Sequence, residues 1–263
     1  MSVVILRNHV VHYEALGRGK PVLFLHSWIG SWRYWVPAMQ TASIAFRTYA
    51  LDLWGFGDTA KASSYYTLSE QTALVGEFLT AMGVGRVALV GHGYGACVAM
   101  QFARQSLQLV DRLLLIGLPY DRKKLNGRLE TASLADLAEW LLNSNEAAAE
   151  ATRVEARKAD QLAIRQALPE LFAFPFEKYL AELELPYLLV YGESDPLVVS
   201  PTAEELTFLP PNSHWIVLES SAHYPMLEES AKFNRLLIDF LNLDSWQSPR
   251  ALQLKEEWKR RVR

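Results

Sequence analysis

The sequence predicts an α/β fold, a mostly parallel eight-stranded sheet flanked by helices, and three observations carry that expectation. Six short, nearly continuous apolar runs recur along the chain, as strands buried on both faces of a parallel sheet require. Segments with apolar residues at helical spacing lie between them, giving the βαβ alternation of a doubly wound sheet. The 263 residues, half of them apolar, are enough to bury a sizeable core in one domain and to carry an insertion.

The elements follow in order. Residues 3 to 16 are rich in Val, Ile, His and Tyr and run into Gly17–Pro21, which suits two opening strands and a turn. The apolar runs are Val22–Leu25, Tyr49–Asp52, Val87–Val90, Leu113–Ile116, Tyr187–Tyr191 and Trp215–Leu218. Helices are expected over Leu68–Met82, after a Thr67/Ser69 cap signal, over Tyr94–Gln105 and over Glu229–Leu241. Residues from about 120 to 181 hold no strand-like run but read as helical over Ser133–Leu142 and Glu146–Leu168, followed by the aromatic patch Leu171–Phe176. A helical insertion there would sit as a cap over the carboxyl ends of the strands, where α/β sheets bind ligands. The expected division is a core of residues 1–119 and 182–243, a helical cap of 120–181, and a C-terminal tail of 244–263. Arg250–Arg263 suits an amphipathic helix with Leu254, Trp258 and Val262 on one face and basic residues on the other. Docking of that tail on its own domain, or on a twin subunit in a homodimer, is a better use of it than membrane-surface binding.

Composition excludes several function classes. A net charge of −3 gives no basic field for nucleic acid, so a small molecule or a protein is the expected partner. A single cysteine, Cys97, leaves no internal disulfide. The apolar start, Val3–Leu6, is too short for a signal-peptide core, and no run approaches a transmembrane span; a cytoplasmic protein is the expectation. Neither a metal nor a cofactor is expected.

The chemistry centres on Arg86–Ala96, which reads as a buried strand, a sharp Gly-flanked turn and a helix start. This is the frame of the G-x-S-x-G nucleophile elbow, with Gly93 in the serine slot. Four further landmarks fall in order around it: His26-Ser-Trp-Ile-Gly30, Asp52-Leu-Trp-Gly-Phe-Gly-Asp-Thr59, Tyr191-Gly-Glu-Ser-Asp195-Pro and Ser221-Ala-His223-Tyr-Pro225. Together they resemble the α/β-hydrolase superfamily from about residue 3 to residue 243, with Ser27 replacing the usual glycine of the H-G-x-x-G loop. The resemblance implies the α/β-hydrolase fold, His223 as general base and Asp195 as the carboxylate that orients it. It also implies an oxyanion hole made by the main-chain N–H groups of Trp28 and Tyr94.

Other uses of the same residues stay open. His223 could be structural, and Asp195 could cap a helix starting near Pro201 or hold a turn before Pro196. His26 and His92 suit bracing of the pocket loops, and Asp52 and Asp58 suit turn formation. Trp28, Trp32, Trp35 and Trp54 on the loops, with Trp140, Phe172, Phe174 and Phe176 in the cap, argue for an apolar or aromatic ligand, although some must be ordinary core. The expected substrate-binding set is His26, Ser27, Trp54, Trp140, Phe172 and Phe174.

A glycine at the elbow rules out ordinary acyl-enzyme chemistry at that position. Removing a serine nucleophile costs on the order of 10⁶ in turnover in a serine protease. His223 would then activate water directly or take a proton from the substrate; Cys97, one helical turn further on, is expected to point into the core. Three functions therefore remain: an enzyme acting on a small apolar carbonyl or ester, an inactive relative binding a hydrophobic ligand or partner protein, and a serine hydrolase deliberately inactivated at Gly93.

Overall fold

The apolar runs assemble, in a computed structural model that describes residues 2–142, 147–244 and 247–252, into one eight-stranded sheet. Its strands are β1 (Ser2–Leu6), β2 (His9–Leu16), β3 (Lys20–Leu25), β4 (Phe46–Leu51), β5 (Val87–His92), β6 (Val110–Ile116), β7 (Tyr187–Gly192) and β8 (Ser213–Leu218). They lie in the order β1-β2-β4-β3-β5-β6-β7-β8. The two pairings made by β2 are antiparallel and all others are parallel. Every residue of β5 and β7 is buried, which is why these strands read as unbroken apolar runs, whereas edge strand β1 alternates.

Ten α-helices complete the described residues: α1 (Val36–Ala42), α2 (Leu68–Ala81), α3 (Tyr94–Gln105), α4 (Arg128–Thr131), α5 (Leu134–Leu141), α6 (Ala147–Ala156), α7 (Gln161–Ala173), α8 (Phe176–Glu182), α9 (Pro225–Glu228) and α10 (Ser230–Leu241). The Thr67 hydroxyl caps α2 by accepting from the Glu70 N–H at 3.3 Å. Helix α5 starts with a capping box between Ser133 and Asp136. Helices α4 to α8 all fall between β6 and β7 in the chain.

The structure differs from the sequence expectations in two places. The stretch expected as one helix over Glu146–Leu168 is broken into α6 and α7, because Asp160 starts a new helix. Its side chain accepts from the Leu162 N–H and the Tyr66 hydroxyl, and its own N–H donates to the Gly55 carbonyl. No helix starts near Pro201; residues 203–208 form turns. Of the tail, Ser248–Leu252 runs beside β8, with the Arg250 guanidinium donating to the Ser213, Leu209 and Pro210 carbonyls. The expected amphipathic helix, with Leu254, Trp258 and Val262, lies outside the described residues. Among the described residues no helix is long and apolar enough to cross a membrane.

Chain order places the site. From β3 the chain moves one way to β4, then crosses back to β5 on the other side of β3, so the strand order reverses between β3 and β5. The crevice beyond the carboxyl ends at such a reversal is where open α/β sheets bind ligands. Register pairs Leu25 of β3 with Gly91 of β5, which sets Ser27 and Gly93, each two residues further on, side by side above it.

Candidate active site

Gly93 sits between β5 and α3 with φ 51° and ψ −113°, a region that residues with a side chain enter only under strain of roughly 1–3 kcal/mol. Its neighbours Gly91 and Gly95 are glycines for a different reason. A Cβ on Gly91 would lie 2.6 Å from the Ala96 Cα, and one on Gly95 would lie 2.4 Å from the Leu25 carbonyl oxygen. Strand, turn and helix therefore approach as closely as backbone allows. Gly93 remains partly exposed while its flanks are buried.

Two other carboxyl ends converge on this turn. The loop after β7 brings Asp195 and the loop after β8 brings His223, whose Nδ1 lies 2.9 Å from Asp195 Oδ2. Both side chains are buried. The other carboxylate oxygen of Asp195 accepts from the Leu197 and Val198 N–H groups at 2.8 and 3.1 Å. Asp195 thus holds the turn and pairs with His223 at once, and it caps no helix near Pro201. His223 Nε2 is buried and has no protein partner. It points toward the elbow, 3.8 Å from where a Cβ on Gly93 would stand. That same point lies 2.3 Å from Ser27 Oγ.

The loop after β3 closes the remaining side. The Tyr94 N–H, at the positive end of α3, donates to Ser27 Oγ at 3.4 Å. The Trp28 and Tyr94 rings stack 5.0 Å apart, so the side chains of the two residues expected to supply oxyanion donors form one wall. A hydrogen-bond chain then ties this loop to the His223 loop. The Ser27 N–H donates to the Tyr34 hydroxyl, that hydroxyl lies 3.0 Å from His92 Nδ1, and His92 Nε2 lies 2.9 Å from the His223 carbonyl. Burial, with His223 beside it, holds the His92 pKa well below the ordinary 6.5, so the ring is neutral, accepting at Nδ1 and donating at Nε2. His26 is likewise neutral through burial; its Nδ1 pairs with the Ser27 carbonyl and its Nε2 accepts from the Leu53 N–H.

Tyr34, Tyr224 and Gly117 belong to the same neighbourhood and carried no signal in the sequence. The Tyr224 hydroxyl donates to the Ile29 carbonyl at 2.7 Å, and a Cβ on Gly117 would lie 3.7 Å from Asp195 Oδ2. Cys97 is buried and its thiol pKa is pushed far up by burial, so it supplies no thiolate. The other aromatics expected to line a pocket have the following packing partners. Trp54 is buried against His9 and Tyr65, Trp35 against Phe24 and Tyr34, and Trp32 against His12. Trp140 and Phe172 lie under the guanidinium groups of Arg128 and Arg122, and Phe174 packs on Phe176 and Tyr179.

His12, Asp52 and Asp58 bring ligand-type atoms within 4.8 Å of one another. The Asp52 oxygens are already engaged by His12 and by the Trp32 and Asp58 N–H groups, so Asp52 acts as the hub of the loop after β4.

Comparison with known proteins bears on the family and the fold. The chain is 26% identical over 244 residues to a putative carbamate hydrolase, RutD, of Enterobacter cloacae, covering 85% of this chain and 92% of that one. A soluble epoxide hydrolase of Corynebacterium sp. is 30% identical over 113 residues, but that match spans only 40% of the epoxide hydrolase and 43% of this chain. Among solved structures, the enol-lactonase of Burkholderia xenovorans superposes with a TM-score of 0.80 at 17% identity, covering 92% of this chain and 100% of that one. A serine-to-glycine mutant of the N-acyl homoserine lactonase AidH, complexed with N-hexanoyl homoserine lactone, does so with a TM-score of 0.78 at 20% identity, covering 91% and 96%. Residues 22–236, which hold every group converging on the elbow, match the profile of the alpha/beta hydrolase family, and the chain belongs to that family.

Proposed function

We propose that the chain is an enzyme of this family that works without a serine at the elbow. In this reading Gly93 stands at the nucleophile position, His223 is the general base and Asp195 fixes its tautomer. The substrate is a small apolar carbonyl compound or ester. The observation that carries the reading is the His223–Asp195 pair, 2.9 Å apart and buried, with the far ring nitrogen unpartnered and facing the elbow. Around the elbow the other two buried histidines, His26 and His92, have both ring nitrogens paired, which sets His223 apart from them.

The step follows from that arrangement. His223 Nε2 takes a proton from a water that attacks the carbonyl carbon, or from an acidic C–H of the substrate. Asp195 stabilises the imidazolium that forms. Charge developing on the carbonyl oxygen meets the Tyr94 and Trp28 N–H groups and the positive end of α3. Residues 120–181 serve as a cap on the core of residues 1–119 and 182–243. Support comes from the bonds of Glu155 to Ser31 and Arg33 and of Asp160 to Gly55 and Tyr66. The relatives' names, carbamate hydrolase, enol-lactonase and acyl homoserine lactonase, favour acyl compounds as the class to screen.

Turnover of short-chain p-nitrophenyl esters and acyl lactones tests this. The unaltered protein should turn over at least one of them, and His223→Ala should abolish that turnover. Asp195→Asn should lower it by about 10⁴, the cost of the wrong imidazole tautomer in a serine protease. Turnover indifferent to His223→Ala would refute the reading. A second reading, a catalytically silent ligand-binding relative, is favoured by the Ser27 side chain filling the elbow. It requires ligand binding with no turnover across the same compounds.

A further inference from the structure

The hydroxyl missing from the elbow has a counterpart one loop away. Position 27 is a serine where the resembling H-G-x-x-G loop carries glycine, and position 93 is a glycine where the elbow carries serine. The two positions are neighbours across the β3–β5 register. Ser27 Oγ stands 2.3 Å from the point a Gly93 Cβ would occupy, and His223 Nε2 stands 3.8 Å from it. Two substitutions that look independent along the chain are thus one exchange in space. With Ser27 in its present rotamer a side chain at 93 has no room, and with glycine at 93 the Ser27 hydroxyl takes the room.

We propose that Ser27 is the nucleophile of this site, carrying out from the oxyanion loop the covalent step that the elbow cannot. The proposal rests on His223 and Asp195 as the base pair of the preceding reading and names the hydroxyl that the base activates. Three features support it. His223 Nε2 is a buried acceptor with no partner, facing the point beside which Ser27 Oγ lies. The Tyr94 N–H already reaches Ser27 Oγ at 3.4 Å, so a donor is in place next to the attacking oxygen, where an oxyanion bonded to the same carbon would form. That contact is long for a hydrogen bond and costs little to give up. Finally, the Ser27 backbone is pinned, since its N–H donates to Tyr34 and its carbonyl pairs with His26, leaving a single side-chain torsion to aim the hydroxyl.

The chemistry balances as an ester hydrolysis. Ser27 Oγ forms a bond to the acyl carbon while its proton passes to His223 Nε2, and the carbonyl oxygen becomes an oxyanion facing the Tyr94 and Trp28 N–H groups. The bond to the alkoxy group breaks and the departing oxygen takes the proton from His223. Water, giving its proton to His223, attacks the acyl carbon. The bond to Ser27 Oγ breaks, and that proton returns to Ser27 as the acid leaves.

The test treats the full chain with an alkyl fluorophosphonate, which would form an Oγ–P bond and expel fluoride, and maps the adduct by peptide mass spectrometry. Turnover of p-nitrophenyl butyrate is followed in parallel. The expected result is an adduct on Ser27 that is lost in Ser27→Ala, in Ser27→Gly and in His223→Ala, with turnover falling at least 100-fold in each. Melting curves of the two Ser27 variants check that both fold. An adduct on any other residue, or no adduct on the unaltered protein, overturns the proposal. Turnover that survives both Ser27 variants but is lost in His223→Ala also overturns it, while leaving the general-base reading intact. Turnover that survives all three variants removes both.

Discussion

At the scale of single residues, the turn at Gly93 and the loop after β3 must be read as a pair. Placing a serine at position 93 alone sets its Cβ against Ser27 Oγ, so Gly93→Ser by itself should give little gain in fluorophosphonate labelling. The exchange Ser27→Gly with Gly93→Ser should give a protein labelled at position 93; strong labelling of Gly93→Ser alone would show that the two positions do not compete. Tyr34 is the second residue whose importance is local. It is buried, accepts from the Ser27 N–H and contacts His92 Nδ1. Tyr34→Phe leaves both partners unsatisfied and should lower the unfolding free energy by about 1–3 kcal/mol in urea titrations. Gly93, Ser27, Asp195 and His223 were legible because each breaks or completes a motif at fixed spacing. Tyr34 and Gly117 were not, because their roles arise from contacts between loops that are distant in sequence. That Ser27 and Gly93 touch was also hidden, since it follows from strand register.

At the scale of elements, the inner strands β3 to β7 were legible because parallel strands buried on both faces leave apolar runs that no surface element imitates. The helices between β6 and β7 were legible in kind but not in length. Nothing in the stretch from Lys158 to Leu162 announces a break by glycine or proline. The break comes from Tyr66 and Gly55, which claim Asp160 from outside the helical segment. The join between α6 and the loop after β3 has the same tertiary character. Glu155, buried at the end of α6, accepts from the Ser31 hydroxyl at 3.0 Å and from Arg33 Nε at 3.1 Å, and Lys158 lies 3.1 Å from it. Glu155→Ala should release α6 and the Ser31–Arg33 segment together. Hydrogen–deuterium exchange should rise in both segments and stay unchanged in β5, whereas a rise confined to α6 would mean that Glu155 serves its own helix only.

At the scale of the whole molecule, the histidines set how the fold responds to acid. Burial lowers the pKa values of His26, His92 and His214, most strongly at His92. At His12 burial opposes the charge, but the hydrogen bond and charge of Asp52, with the charges of Asp58 and Glu14, together outweigh it and the pKa is raised. The signs are opposite. A histidine with a depressed value in the folded protein contributes stability that is full above the ordinary 6.5 and is lost as pH falls below it toward the folded value. His12 contributes stability that is full below 6.5 and is lost as pH rises through its raised folded value. Near neutrality the unfolded chain therefore takes up protons at three histidines that stay neutral in the fold, against one where the fold takes up more. Stability should rise with pH between about 5.5 and 7.5, each unbalanced proton contributing about 1.4 kcal/mol per pH unit at most. Urea midpoints across that range check the slope. His92→Gln, which keeps an amide donor and acceptor but cannot titrate, should flatten the slope while lowering stability at pH 7.5 only modestly. An unaltered slope would mean that protonation of His92 is not what links acid to the loosening of the loops that carry Ser27 and His223.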